Sequence, residues 1–326
     1  MRPLIAPLAA GLALLAAFAA PLAVHAQEWP TKPIRIVVPY PPGGNVDGAA
    51  RIIATELQKS LPQPIVVENR AGAGGLIAGE AVAKSEPDGH TLFIAANGPL
   101  LFSPTIYGRP VYHWQKSFAP ITMVSLTPLL VQVHPSVPAR TVPELVALAK
   151  SRPSTITMAS PGAGTTNHLL SEQLQKVTGA TWITAHYKGN APATNDLLGG
   201  QVQFNIDQVS VAQAYIKDGR TRALAVIAPK RVPWLPDVPT LEEQGIKGVD
   251  GQTFTGLLAP AGTPPAVIAR LSEALRTVLA NPAVVARFNQ SGAEARWMSP
   301  QDFSAYLARE EATWLPIIRA ANIKAD

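Results

Sequence analysis

Residues 34–38 read Ile-Arg-Ile-Val-Val, and short β-branched runs of this kind recur along the chain, each followed by a longer stretch with apolar positions at helical spacing. Runs at 34–38, 65–68 and 91–95 predict three strands, and 46–59 and 75–84 predict the helices between them. A second series places strands at 129–133, 156–159, 182–185, 202–206 and 223–228, separated by helices near 143–150, 165–177, 191–198 and 209–217. After Pro239 a strand at 253–259 precedes helices at 265–280, 282–290 and 300–321. Thr141 with Glu144, and Thr240 with Glu243, have the spacing by which a hydroxyl and a carboxylate satisfy helix-start amides reciprocally. Alternation of strand and helix is how sheets covered by helices read, so the expected class is α/β.

Two such series predict two lobes of ordinary domain size. The expected organisation is 27–127 as the first part of lobe 1, 128–248 as lobe 2, and 249–326 returning to lobe 1, with the Pro/Gly-rich stretch 97–120 as the connection. Ahead of them lies a different segment. Arg2, an uncharged Ala/Leu-rich run from Leu4 to Pro21, and Val24-His25-Ala26 have the form of a signal peptide cut after Ala26. The mature protein then starts at Gln27 and is exported to the periplasm; an uncleaved anchor is the alternative.

Composition narrows the function. With 326 residues, 47% hydrophobic and 15% charged, the chain can bury a sizeable core, which excludes a disordered or collagenous protein. It has no cysteine, and so no thiolate nucleophile, disulfide or Cys-ligated metal. The net charge of +5 comes from basic residues scattered singly, a poor match to a nucleic-acid backbone. A looser group, Lys217, Arg220, Arg222, Lys230 and Arg231, is either a solvated face or a docking surface for a membrane partner. Walker, zincin, nucleophile-elbow and dinucleotide fingerprints are absent, and the six histidines show no close metal-ligand spacing.

Ligands of open α/β sheets sit beyond the carboxyl ends of strands, so the loops there are the candidate chemistry. The first, Pro39-Tyr40-Pro41-Pro42-Gly43-Gly44-Asn45-Val46-Asp47, leaves a strand and opens a helix. Its prolines stiffen the loop and its glycines let backbone N–H groups approach an anion at the helix start. It reads equally as a tight turn with Asn45 or Asp47 as helix cap. The second, Ser160-Pro161-Gly162-Ala163-Gly164-Thr165-Thr166-Asn167-His168, repeats the device in the other lobe, so the two can close on one anion from both sides. His168, a turn into the helix, is expected to be a packed histidine bonded to backbone. Further strand-end segments are 186–192, with Lys188 as an electrostatic lure or a solvated lysine, and 204–207, whose Asp207 orients water, caps a helix or bonds a neighbouring loop.

The run Trp29-Pro30-Thr31-Lys32-Pro33-Ile34-Arg35-Ile36-Val37-Val38-Pro39-Tyr40-Pro41-Pro42-Gly43-Gly44 resembles the mature start of the substrate-binding proteins of tripartite tricarboxylate transporters, the Bug or TctC-like family. Val67-Glu68-Asn69-Arg70-Ala71-Gly72-Ala73-Gly74-Gly75, Pro87-Asp88-Gly89-His90-Thr91-Leu92, the 160–168 loop, Tyr187-Lys188-Gly189 and Leu235-Pro236-Asp237-Val238-Pro239-Thr240 match in the family's order across nearly all of the mature chain. The resemblance implies a two-lobed periplasmic binding protein of Venus-flytrap type, each lobe a mixed sheet flanked by helices, that hands a small organic carboxylate to a membrane permease. The candidate acids are di- and tricarboxylates, amino acids and aromatic acids. Carried over by position, the ligand contacts are Tyr40, Pro42, Gly43, Asn45 and Asp47 in the first lobe and Ser160, Gly162, Gly164, Thr165 and Thr166 in the second. Tyr187 and Asp207 are expected neighbours, and Asn97 is placed within reach. No cofactor or metal is implied. The sequence departs from the family at His186, where a proline usually precedes Tyr-Lys-Gly, and at Asn45-Val46, which replaces a small pair before Asp47. Two other classes compete with this one: an exported hydrolase using Ser160 and His168, and a ligand-dependent sensor docking on a membrane kinase.

Overall fold

The computed structural model describes residues 29–325; the signal-peptide expectation for 1–26 lies outside them. Ten strands are present among the described residues: β1 Ile34–Val38, β2 Ile65–Asn69, β3 Thr91–Ala96, β4 Phe118–Val133, β5 Thr157–Ser160, β6 Ile183–His186, β7 Phe204–Gln208, β8 Arg222–Ile227, β9 Gln252–Pro260 and β10 Glu294–Ala295. The longer helices are α1 Asn45–Leu57, α2 Leu76–Ala83, α3 Val142–Ser151, α4 Thr166–Thr178, α5 Asn190–Leu198, α6 Val209–Lys217, α7 Pro265–Ala280, α8 Pro282–Gln290 and α9 Pro300–Ala320. The fold is α/β and two-lobed. One lobe pairs its strands in the order β2-β1-β3-β9-β4, with β10 on β4; the other runs β4-β7-β5-β6, with β8 on β4.

Periodicity explains the layers. In β3, Leu92, Ile94 and Ala96 face one core and Phe93 and Ala95 the other, the period of two that a sheet covered on both faces requires. Helix α1 completes the first of these cores with Val46, Ala49, Ala50, Ile53, Ala54 and Leu57, a stripe at helical spacing. Each large member of that stripe, such as the fully buried Ile53, contributes roughly 1.5–3 kcal/mol by leaving water.

The 97–120 stretch is not a simple connection. It forms turns at Gly98–Phe102, Ser103–Ile106 and Trp114–Ser117, then enters β4 at Phe118. It also packs under α9, where Trp114 Nε1 donates to Glu311 Oε2 at 3.1 Å and the Phe102 ring tilts against Trp314. β4 itself is longer than expected because Pro120 and Pro128 argue against a central strand. The structure accommodates Pro120 at a register shift in the β9 pairing. Pro128 stands where pairing passes from β9 to β7 and β8, beginning at Leu129. Thr141 caps α3, accepting from Glu144 N, but Glu144 reaches back to Arg140 N instead of Thr141 N. Thr240 and Glu243 do exchange both bonds, though they open only the short turn Glu242–Gln244.

Candidate functional site

Strands β1 and β3 of one lobe, and β5, β6 and β7 of the other, are parallel within their sheets and point their carboxyl ends at one another across the cleft. The residues just beyond those ends line a small inner cavity of about 20 Å³. Tyr40 and Asn45 follow β1, Gly98 follows β3, Thr165 to Asn167 follow β5, Asn190 follows β6, and Gln208 ends β7. Three helices therefore begin at this one point: α1 with Asn45 and Val46, α4 with Thr166 and Asn167, and α5 with Asn190. The first-turn amides of a helix lack intrahelical partners and carry the positive end of its dipole, so three such starts make a strongly anion-favouring pocket. Among the described residues, not one charged side chain lines it.

The lobes are in contact around this cavity. A Cβ built on Gly98 would stand 2.7 Å from the Gly164 carbonyl oxygen, and one on Gly44 would stand 2.9 Å from Asn190 Oδ1. Glycine at these two positions is what lets the opposing loops approach. The space left is about one water or one carboxylate group in size. Tyr40 and Pro161 also line an outer cavity of about 560 Å³, which carries Tyr107 on one side and His186, Tyr187 and Lys188 on the other.

Behind the inner cavity lies a buried polar network. Asp207 Oδ1 accepts from Asn190 Nδ2 at 2.6 Å and from Gln208 N at 2.9 Å, while Oδ2 accepts from Thr194 Oγ1 and Asn205 Nδ2, each at 3.2 Å. Burial pushes its carboxyl up to about 7 against the pull of these donors. Gln208 Nε2 donates to Asn167 Oδ1 at 3.0 Å and to Thr253 Oγ1 of β9 at 2.9 Å, fixing the amides that face the cavity.

Comparison with known proteins agrees with this architecture. The family model described as "Tripartite tricarboxylate transporter family receptor" matches residues 49–323. Protein BugT of Bordetella pertussis is 36% identical over 310 residues, covering 95% of this chain and 94% of that protein. Among solved structures, Rpa4515 of R. palustris with adipate superposes with a TM-score of 0.89 at 32% identity, covering 92% of this chain and 100% of that one. MatC from Rhodopseudomonas palustris with bound malate gives 0.85 at 30%, covering 89% and 100%. The chain belongs to the tripartite tricarboxylate transporter receptor family. Its relatives are solute-binding receptors, and its fold is that of periplasmic binding proteins.

In this receptor the residues singled out from sequence divide into three groups. Tyr40, Asn45, Thr165 and Thr166 line the inner cavity, and Tyr40, Gly162 and Tyr187 the outer one. Others are occupied in shaping the loops. Gly43 N donates to Asp47 Oδ2 at 2.9 Å, and Asp47 also takes Arg51 and Asn69, so burial is outweighed and its carboxyl is held below the usual range. Gly164 N donates to His168 Nδ1 at 3.2 Å, and Ser160 Oγ donates to the Gly162 carbonyl at 3.1 Å. Pro42 is exposed on the outer side of its loop. Asn97 lies deeper still, its Oδ1 accepting from Phe254 N and its Nδ2 donating to Glu310, and Asp207 acts through Asn190.

Sequence reasoning missed Val46, Ala96, Gly98, Pro161, Asn167, Asn190, Gln208 and Thr253 of the inner lining. Asn190 carried a signal, since it opens a helix after Gly189 at a strand end; Thr253 carried none, because β9 reaches the cleft through its pairing with β3 and β4, which lie far from it in the chain.

His168 is the packed, backbone-bonded histidine expected, and burial with the nearby His186 lowers its pKa to about 4. Ser160 and His168 each bond a glycine of their own loop, so the serine–histidine bond that a hydrolase requires is not made. In the basic group, Arg222 donates to the Val137 and Ala139 carbonyls and Arg231 pairs with Glu243, which leaves less of a docking surface than the residue types imply. Among the described residues no helix is long and apolar enough to cross a membrane, and no cluster of three or more His, Asp or Glu could hold a metal ion.

Proposed function

We propose that this receptor is exported to the periplasm, captures a small organic carboxylate between its lobes and delivers it to the membrane permease of a tripartite tricarboxylate-type transporter. The observation that carries the reading is the meeting of three helix starts at a cavity without a charged side chain among its described lining residues. One carboxylate fills the inner cavity, received by main-chain amides at the starts of α1, α4 and α5, the Thr166 hydroxyl and Tyr40. The rest of the acid occupies the outer cavity.

Hydrogen bonds to an ionised group contribute roughly 1.5–3 kcal/mol each once water is excluded, so a few suffice for the ~8 kcal/mol of micromolar binding. Affinity of that order permits release, and the difference between open and closed lobes is what the permease reads. The solved relatives with adipate and malate support an acid as the cargo class.

Calorimetric titration of the processed protein against di-, tricarboxylic, amino and aromatic acids at neutral pH tests the reading. At least one acid is expected to bind at micromolar concentration, and failure of every class overturns it.

A further inference from the structure

Another cavity, of about 570 Å³, lies in the β1–β3 lobe beside the cleft and belongs to neither of the two already described. The 98–117 stretch walls it with Leu100, Leu101, Pro104 and Pro110, and α9 with Glu311, Leu315 and Arg319. Its floor is apolar and its rim cationic. Glu311 is the one acid among the described lining residues, and both its oxygens are taken: Oε2 accepts from Trp114 Nε1 at 3.1 Å, and Oε1 stands 3.3 Å from His113 Nε2. Lys116 and Arg319 on the rim are exposed and ion-pair with no described residue. An apolar side chain seated on the floor, with a carboxylate beside it, complements such a surface.

This cavity shares a wall with the cleft. Gly98 begins the wall at the inner cavity, where a Cβ built on it would stand 2.7 Å from the Gly164 carbonyl oxygen of the other lobe. Further along, Ser103 Oγ and Ile106 Cδ1 would lie 3.2 Å and 3.3 Å from a Cβ built on Gly164. Leu100, Leu101, Pro104 and Thr105 of the same short run line the cavity. Tyr107 then lines the outer cavity while Gly108 returns to this one, so the two sites meet at the 105–108 turn. The 162–164 loop, in contact when the lobes meet, therefore backs the floor that a partner would touch.

We propose that the permease seats a periplasmic segment in this cavity, an apolar side chain against Leu100, Leu101 and Leu315 and an acidic one on Lys116 and Arg319, and reads lobe closure through the shared wall. The proposal rests on the reading that this receptor delivers a carboxylate to a permease. A floor backed by the opposite lobe is firm and one without that backing is free to yield, which gives the segment a higher affinity for the closed form.

Uptake of the labelled acid that binds tightest in the calorimetric panel, by cells whose only receptor gene carries Lys116→Glu with Arg319→Glu, tests it. Acid affinity of the purified double variant is expected to stay within about twofold of the parent's, while uptake at equal receptor abundance falls about tenfold or more. Thr105→Trp, which fills the cavity without changing its charge, is expected to do the same. Lys217→Glu with Arg220→Glu, on the other lobe, is the control and is expected to leave uptake as it is. Unchanged uptake in either cavity variant, an equal loss in the control, or a loss of acid affinity that matches the loss of uptake overturns the proposal while leaving the carboxylate reading in place. So does a parent that sediments as a dimer beside a double variant that sediments as a monomer, since a second copy then covers the cavity. If no acid binds, or uptake does not require the receptor, the underlying reading fails and the proposal with it.

Discussion

Ser210 Oγ donates to Asn45 Oδ1 at 2.7 Å, joining the first turn of α6 in one lobe to the first turn of α1 in the other. The same oxygen accepts from Thr127 Oγ1 of β4 at 3.0 Å, and the amide nitrogen reaches Thr255 Oγ1 of β9 at 3.4 Å. A carboxamide committed in this way holds protein to protein. Asn45 lines the inner cavity, but its polar atoms fasten the lobes together.

Asn45→Ala is therefore expected to weaken acid binding by shifting the population toward open lobes. Of the three bonds lost, the one from Ser210 joins the lobes, and at about 0.5–1.5 kcal/mol it predicts a loss of up to about tenfold. Calorimetry reads the affinity and small-angle scattering the greater radius of the ligand-bound state. An unchanged affinity contradicts the latch.

Gly44→Ala tests the close approach directly. Gly44 has φ −91° and ψ 175°, a conformation open to any residue, so the backbone tolerates the change. The new methyl, however, stands 2.9 Å from Asn190 Oδ1, whose amide is pinned by Asp207 and Gln208. The ligand-free protein is expected to melt as the parent does, while acid binding falls by more than about tenfold because the lobes stop short of closure. Retained affinity means that the two loops need not meet.

Asp207 predicts a pH dependence. With its carboxyl pushed up to about 7, it is neutral below that pH and becomes an anion behind the anion site above it. Affinity for an acid is expected to fall as pH rises through 7, by at most about tenfold per unit for a single proton, and Asp207→Asn is expected to flatten the profile. Stability follows the same sign: the folded pKa lies above the ordinary 3.8, so the proton-linked stability is full below 3.8 and is lost as pH rises through about 7. His168, lowered from 6.5 to about 4, acts oppositely, losing stability as pH falls through that window. The difference in melting temperature between Asp207→Asn and the parent, measured from pH 4 to 8, isolates the carboxyl; a flat difference contradicts the assignment.

Thr165 both caps α4 and shapes the loop before it. Its Oγ1 accepts from His168 N at 3.3 Å and donates to the Gly162 carbonyl at 2.8 Å. Thr165→Ala is expected to cost about 1 kcal/mol of stability, read by denaturant titration, together with some affinity. A stability equal to the parent's contradicts the cap.

Local features were the ones legible in the sequence. The alternation in β3, the stripe of α1 and the Pro/Gly loops after β1 and β5 all declare themselves within a dozen or so residues. The first part of β4 did not, because Pro120 and Pro128 signal a break that β4 instead absorbs at a register shift and at the change of pairing partner. Polar residues at strand ends were visible as candidates, but not their allegiance. Asp47 and Asn97 turn inward to Asn69 and Phe254, while Gln208 and Thr253, bonded at 2.9 Å, arrive at the cavity from strands far apart in the chain. Such partners are set by topology, which no short stretch of sequence discloses.

β4 is shared by both sheets, with β9 beside it through residue 128, and it is not a slack tether. Opening the clamshell thus means flexing a beam whose hydrogen-bonded neighbours resist at each side. Lengthening that beam by even one residue would turn the side chains beyond the insertion to the opposite face and put one sheet out of register with the other. The machine can change its cargo by altering loops, while its travel falls on β4 and on the 228–251 segment that joins β8 to β9.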